Sequence, residues 1–242
     1  MENKQDNFYL NTESNSYFQR WKKLNDFQSN QIRPSKMEIF NNLKKYINID
    51  GITVLEIGCF IGDLLLYLEK NYNCNVNGIE PSEDACLFSK EKLNLNLENN
   101  TFINSSLFNN SKDNFMKYDL IILDDVLSWM SRDIILSTIG AIDWLLKPQG
   151  HIYLKDFTPH FSYATENHHW KGKNIYNFKQ SSGHKNFFLD SGKYLEIFNK
   201  SRLSEKYQLK KSVRKDSLLW SDTILEKTKN EIFSHPKIDI YQ

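Results

Sequence analysis

The stretch Val54 to Asp63, VLEIGCFIGD, decides the fold of this 242-residue chain. An apolar run reaches the acidic Glu56, a turn follows between Gly58 and Gly62, and from Asp63 the apolar residues recur at helical spacing. A strand that stops at Gly58 and restarts as a helix near Asp63 presents free backbone N–H groups to a ligand, as nucleotide-binding α/β folds do. An adenosine-like ligand suits that turn.

Working outward, strand and helix patterns alternate. Strands are expected over 52–57, 75–79, 101–103, 119–123 and 151–157, and helices near 63–70, 83–93 and 132–146. Such alternation implies a parallel sheet with right-handed crossovers. Two further strands, 194–198 and 218–225, are joined by a basic stretch (Lys206, Lys210, Lys211, Arg214, Lys215) with no crossover helix, and so pair as an antiparallel hairpin. Upstream, Ile39, Phe40, Leu43, Tyr46 and Ile47 share one helical face behind the start signal Pro34-Ser35. The earlier aromatics Tyr17, Phe18, Trp21 and Phe27 either close over a ligand as a lid or simply pack the N-terminal arm. The organisation expected is an arm over 1–49, a ligand-binding domain over 50–227 with a long irregular acceptor-site insertion at 158–191, and a tail over 228–242.

Bulk properties exclude several classes. With 31 basic and 30 acidic residues the formal charge is +1, which gives no polyanion-seeking field and disfavours general nucleic-acid binding. Three cysteines, Cys59, Cys74 and Cys86, without a C-x-x-C pair argue against a disulfide framework or zinc site, so a reducing cytoplasm is expected and no metal is assigned. No apolar run approaches the ~20 residues of a membrane span, and the N-terminus lacks the layout of a secretory signal. Monomer and homodimer both stay open.

The VLEIGCFIGD stretch resembles the first motif of class I S-adenosylmethionine-dependent methyltransferases, an acidic residue, one apolar residue, then Gly-x-Gly-x-Gly; Glu56, Gly58 and Gly62 fit, and Phe60 takes the middle glycine position. Glu80, which follows Glu56 by 24 residues, stands near the offset at which an acidic residue accepts ribose hydroxyls, and a carboxylate offers two acceptor oxygens to a vicinal diol. The segment Gly78-Ile79-Glu80-Pro81-Ser82 resembles the second motif, and the Leu-Lys-Pro-Gln-Gly turn at 146–150 resembles another element of the family. The resemblance implies a Rossmann-like seven-stranded sheet, mostly parallel with an antiparallel last strand, flanked by helices on both faces. It implies S-adenosylmethionine held at the strand ends by Glu56, Gly58, Cys59, Gly62, Glu80 and Pro81, with Asn104 or Ser105 at the adenine and Asp124 and Asp125 beside the methionine part. A nicotinamide enzyme would want Gly-x-Gly-x-x-Gly, which is absent. The Asp/Asn-Pro-Pro-Tyr signature of nucleic-acid amino methylation is absent too.

Between Lys155 and Lys185 five lysines face two acids, and the same segment holds four of the six histidines with Trp170, Tyr176 and Phe178. This composition suits an anionic acceptor with a ring to stack, or else is a solvated basic loop. The segment also resembles a methyltransferase subset of bacterial capsule and surface-polysaccharide genes through Asp156-Phe157, the pair His168-His169, and Tyr176 followed by Lys179. That resemblance implies O-methylation of a sugar or of a phosphorus-containing, phosphoramidate-type decoration, on a nucleotide- or phosphate-linked acceptor. A sugar hydroxyl must lose its proton, and a histidine of pKa ~6.5 is a suitable base, so His168 or His169 is expected as base or orienting donor, supported by Asp156 and Tyr176. Alternatives are N- or C-methylation of a nucleotide-linked sugar, a non-catalytic S-adenosylmethionine-binding subunit, and an RNA methyltransferase, the last weakened by the near-neutral charge.

Overall fold

The computed structural model describes residues 4–24, 31–110, 113–167, 169–203 and 219–229. An N-terminal arm comprises α1 (Lys4–Phe8), a π turn (Tyr9–Glu13) and α2 (Ser14–Leu24), and α3 (Pro34–Tyr46) leads into β1 (Thr53–Ile57). Then come α4 (Asp63–Tyr72), β2 (Asn75–Glu80), α5 (Glu83–Phe88) running on as a π turn to Leu93, β3 (Glu98–Asn99), α6 (Ser106–Asn109) and β4 (Tyr118–Asp124). Next are α7 (Ile135–Leu145), β5 (Leu146–Phe157), β6 (Tyr163–Glu166), β7 (Tyr176–Lys179), α8 (Asn186–Leu189), β8 (Tyr194–Leu203) and β9 (Leu219–Lys227).

Seven strands form one sheet in the order β3-β2-β1-β4-β5-β9-β8, with β1 to β5 parallel and β9 antiparallel to both its neighbours. The Rossmann-like sheet with an antiparallel last strand is thus the observed one. Alternation along the central strands sends side chains to two cores. Val54, Leu120, Ile122 and Tyr153 pack against α3 and α4, while Leu55, Ile121, Leu123 and Ile152 pack against Ile135, Ile139 and Ile142 of α7. Burial on both faces is why these strands read as continuous apolar runs.

Three local expectations are corrected. The third strand is Glu98–Asn99 rather than 101–103; after two ladder pairs with Ile79 and Glu80 the chain turns into a single 3-10 turn, Phe102–Asn104, which buries Phe102. The turn expected at 147–150 lies inside β5 as an irregularity: Tyr118 pairs with Leu146 and Leu120 with His151, so the extra residues loop out with Gln149 at φ 62°. Within the insertion, expected to be irregular, β6 and β7 form a separate two-stranded hairpin. Phe27, His168, the basic cluster between the last two strands and most of the expected tail lie outside the described residues.

Candidate active site

The turn after β1 is built on left-handed backbone. Gly58, Phe60 and Gly62 have φ of 71°, 58° and 70°. A Cβ on Gly58 would meet Val126 at 2.7 Å, so the β4 side of the turn admits only glycine. Phe60 holds a conformation that a non-glycine residue adopts at a cost of about 1–2 kcal/mol. Its ring offsets the strain: it packs against Tyr17, Phe18 and Trp21 at centroid distances of 5.3, 5.8 and 5.0 Å, under the Arg33 guanidinium at 4.7 Å. The substitution for glycine therefore ties the loop to the arm and leaves a cavity of about 610 Å³ open at the strand ends.

Glu80 is fixed at that cavity by two backbone donors, the N–H of Phe60 to Oε2 at 2.8 Å and that of Ser82 to Oε1 at 2.9 Å. Burial pushes its carboxyl up to about 7 despite those donors. Beside it, a chain of charges crosses the sheet. The buried Lys36 ammonium donates to Glu56 at 2.7 Å and to Asp124 at 2.9 Å, and Lys155 reaches the other Asp124 oxygen at 3.0 Å. Burial alone would lower Lys36 and raise Asp124, but the mutual attraction outweighs it and holds the lysine charged and Asp124 well below the usual carboxylate range. Arg33 is locked against Asp63, the first residue of α4, through both carboxylate oxygens.

At the far end Asp125, with φ 58°, accepts from Ser128 Oγ at 2.7 Å and from the Trp129 indole at 3.3 Å. Burial, then the nearby Asp156 and Asp124, push it up to about 7. The arm roofs this end: Asp6, Tyr9, Glu13, Ser14 and Tyr17 share the wall with Asp125, Trp129 and Trp220. It is held from two sides. Asn15 bonds Ser82 and Gln19 bonds Asp84 on the core, while Gln5 bonds the backbone of Tyr176 and Trp129, and Glu13 accepts from Trp170 of the insertion.

Of the residues expected at the cofactor, Gly58, Glu80, Pro81, Asp124 and Asp125 line the cavity. Glu56 is buried behind the wall and acts on it through Lys36. Cys59 turns into the core, where its sulfur fills the space that a Cβ on Gly78 would need. Gly62 faces Leu95 and Leu97, and Ser105 caps α6 by accepting from the Phe108 N–H. Asn100, Thr101, Phe102 and Ile103 form the wall in the place expected of Asn104 and Ser105.

The described members of the expected catalytic group, Asp156, His169 and Tyr176, lie apart from the cavity. Asp156 is buried against His184, accepting from its backbone N–H at 2.8 Å and bonding its ring Nδ1. His169 is exposed, with its backbone N–H on Asn167, and the Tyr176 hydroxyl lies 3.5 Å from Asn174. Among the described members of that group none lines the cavity. Lys36, Arg33, Tyr9, Trp129 and His184 were not singled out by the sequence; the start signal Pro34-Ser35 marked only the helix that carries Lys36.

The methyltransferase domain family matches residues 26–200. The chain belongs to that family. The (S)-tetrahydroprotoberberine N-methyltransferase of Eschscholzia californica is 32% identical to this chain over 130 residues, covering 50% of the chain and 33% of the relative, so the match spans about a third of that protein's length. In fold, the methyltransferase is similar to the 1,6-didemethyltoxoflavin-N1-methyltransferase of Burkholderia thailandensis with bound 1,6-didemethyltoxoflavin and S-adenosylhomocysteine (TM-score 0.59, 15% identity, 88% of this chain and 84% of that one). It is also similar to a SAM-dependent methyltransferase of Methanosarcina mazei (TM-score 0.56, 14% identity, 82% and 99% covered). S-adenosylmethionine is the cofactor of this class. No helix among the described residues is long and apolar enough to cross a membrane.

Proposed function

We propose that the chain moves the methyl group of S-adenosylmethionine to a small, ring-bearing acceptor that lies between the arm and the end of β4. The observation that carries this reading is a single cavity whose wall runs from Gly58 and Glu80 to Asp125, Trp129 and Tyr9. The residues present fit the cofactor. Glu80 retains lone pairs for a ribose diol, the buried Thr101 hydroxyl lacks a partner beside Phe102 and Ile103, and the Gly58 backbone cannot carry a side chain. When bound, S-adenosylmethionine supplies an electrophilic sulfonium methyl.

The chain's own residues then have two tasks. Trp129, Tyr9 and Trp220 hold a flat acceptor in line, and positioning of this kind can supply about 7–11 kcal/mol of the barrier. Asp125, at about 7, takes the proton of the attacking group near neutral pH, a role expected of a histidine from the sequence.

The finer expectation, an anionic nucleotide- or phosphate-linked acceptor of capsule or surface-polysaccharide assembly, rests on the resemblance in the insertion. Lys155 is the lysine of that segment on the wall, and its ammonium is already engaged with Asp124. Two of the similar proteins are an N-methyltransferase and an N1-methyltransferase, which supports N-methylation as the acceptor chemistry. Calorimetry with S-adenosylhomocysteine and, as a second adenosine-containing ligand, NAD tests the cofactor: micromolar affinity for the first alone is expected, and absence of its binding would sink the reading.

A further inference from the structure

The acceptor end of the cavity is charged in the sense opposite to that of the insertion. The wall carries the carboxylates Asp6, Glu13, Glu80, Asp124 and Asp125 against the cations Arg33, Lys36 and Lys155. Each of these cations already has a carboxylate: Arg33 has Asp63, Lys36 has Glu56 and Asp124, and Lys155 has Asp124. Of the carboxylates, Glu13 is paired with Arg20 and Asp124 with Lys36 and Lys155, whereas among the described residues Asp125 has no ion pair: its oxygens accept from the neutral Ser128 and Trp129, and Lys179 acts on it only from farther off. Tyr9 shares the wall with Glu13 and Asp125; its hydroxyl accepts from Asn167 at 3.4 Å and is pushed up chiefly by burial, with both acids adding to the rise. The Tyr9 and Trp129 rings meet edge to face at 5.7 Å. Aromatic faces are negative, so rings set among carboxylates attract a cation and repel an anion.

We infer that this end recognises an acceptor carrying a basic amine, held between the rings of Tyr9 and Trp129 and the carboxylates of Glu13 and Asp125. The inference rests on the methyl-transfer reading and adds the substrate class to it. The ammonium form is the one attracted; to become nucleophilic it gives one N–H proton to Asp125, leaving a neutral amine with its lone pair and a neutral carboxylic acid. Glu13 lies on the same wall, paired with Arg20 at 2.7 Å.

The test uses two probes of one shape and opposite charge, benzyltrimethylammonium and phenylmethanesulfonate, titrated into the full chain with S-adenosylhomocysteine saturating. The cation is expected to bind about tenfold or more tightly than the anion, and Asp125→Asn to reduce that preference severalfold. Asn adopts left-handed backbone readily, which suits position 125. Equal affinities in the unmodified protein, or tighter binding of the anion, would overturn the amine assignment whether or not the variant folds. Failure of S-adenosylhomocysteine itself to bind is a separate reading from the same titration; it brings down the methyl-transfer proposal and this inference with it.

Discussion

Asp156 and His184 form a buried pair in which the carboxylate holds the imidazole by Nδ1 while the ring's Nε2 lies 3.1 Å from Arg132. Because a guanidinium only donates, Nε2 is the acceptor and Nδ1 carries the proton, an assignment made from the network. Arg132 in turn donates to the carbonyls of Leu127 and Met130, the turn that presents Trp129 to the cavity. Asp156→Asn turns an amide toward the Phe157 N–H or the His184 donors and leaves a buried group unsatisfied, at a cost of about 1–3 kcal/mol. For a domain of this size each kcal/mol lowers Tm by roughly 2–4 °C, so differential scanning calorimetry is expected to show a clear drop.

At position 60 two effects oppose each other. Glycine would relieve left-handed strain of about 1–2 kcal/mol. It would also delete a ring that is 5% exposed, and removing a buried Phe side chain costs about 3–5 kcal/mol. Packing wins, so Phe60→Gly is expected to unfold at lower urea despite restoring the glycine-rich motif. A midpoint equal to or above that of the unmodified protein would refute the claim that the ring anchors the arm.

Lys36 serves two carboxylates at once. Lys36→Met strips the buried Glu56 of its ion pair and leaves Asp124 with Lys155 alone, and breaking a buried pair from one side costs about 3–5 kcal/mol. Adding Glu56→Gln removes one of the stranded charges and is expected to recover part of the loss in chemical denaturation. No recovery in the double variant would mean that the bridge is not the source of the effect.

Glu80 and Asp125 give opposite pH signs to stability and to ligand affinity. Their carboxyls rise from ordinary values of 4.5 and 3.8 to about 7, so between those limits the folded chain binds more protons than the unfolded one. Their contribution to stability is full below the ordinary values and is lost as pH rises through about 7. Urea midpoints should therefore fall from pH 5 toward pH 8, less steeply in Glu80→Gln. A ribose diol prefers the ionised Glu80, so affinity for S-adenosylhomocysteine should rise across the same interval; a flat titration would remove Glu80 from the ribose site.

Much of this was legible in the sequence because the deciding signals were local. The Val54 to Asp63 stretch, the alternation of strand and helix, and Glu80 at the end of β2 each follow from spacing alone, and the seven-stranded sheet with its antiparallel last strand was implied by the family resemblance that they carry. The misses were pairings across long separations. His184 reaches Asp156 over 28 residues and Lys36 reaches Asp124 over 88, distances at which residue type carries no positional information. His169 lay beside attractive neighbours in sequence, but the two-stranded hairpin turns it outward. The 3-10 turn at Phe102 was mistaken for a strand because two apolar residues fit either period.

The cavity wall includes both Asp6 and Trp220, residues 214 positions apart. The parallel strands β1 to β5 can pair before β9 exists, so the core can fold ahead of the cavity, whose wall is complete only once β9 has joined β5 and brought Trp220 beside the arm.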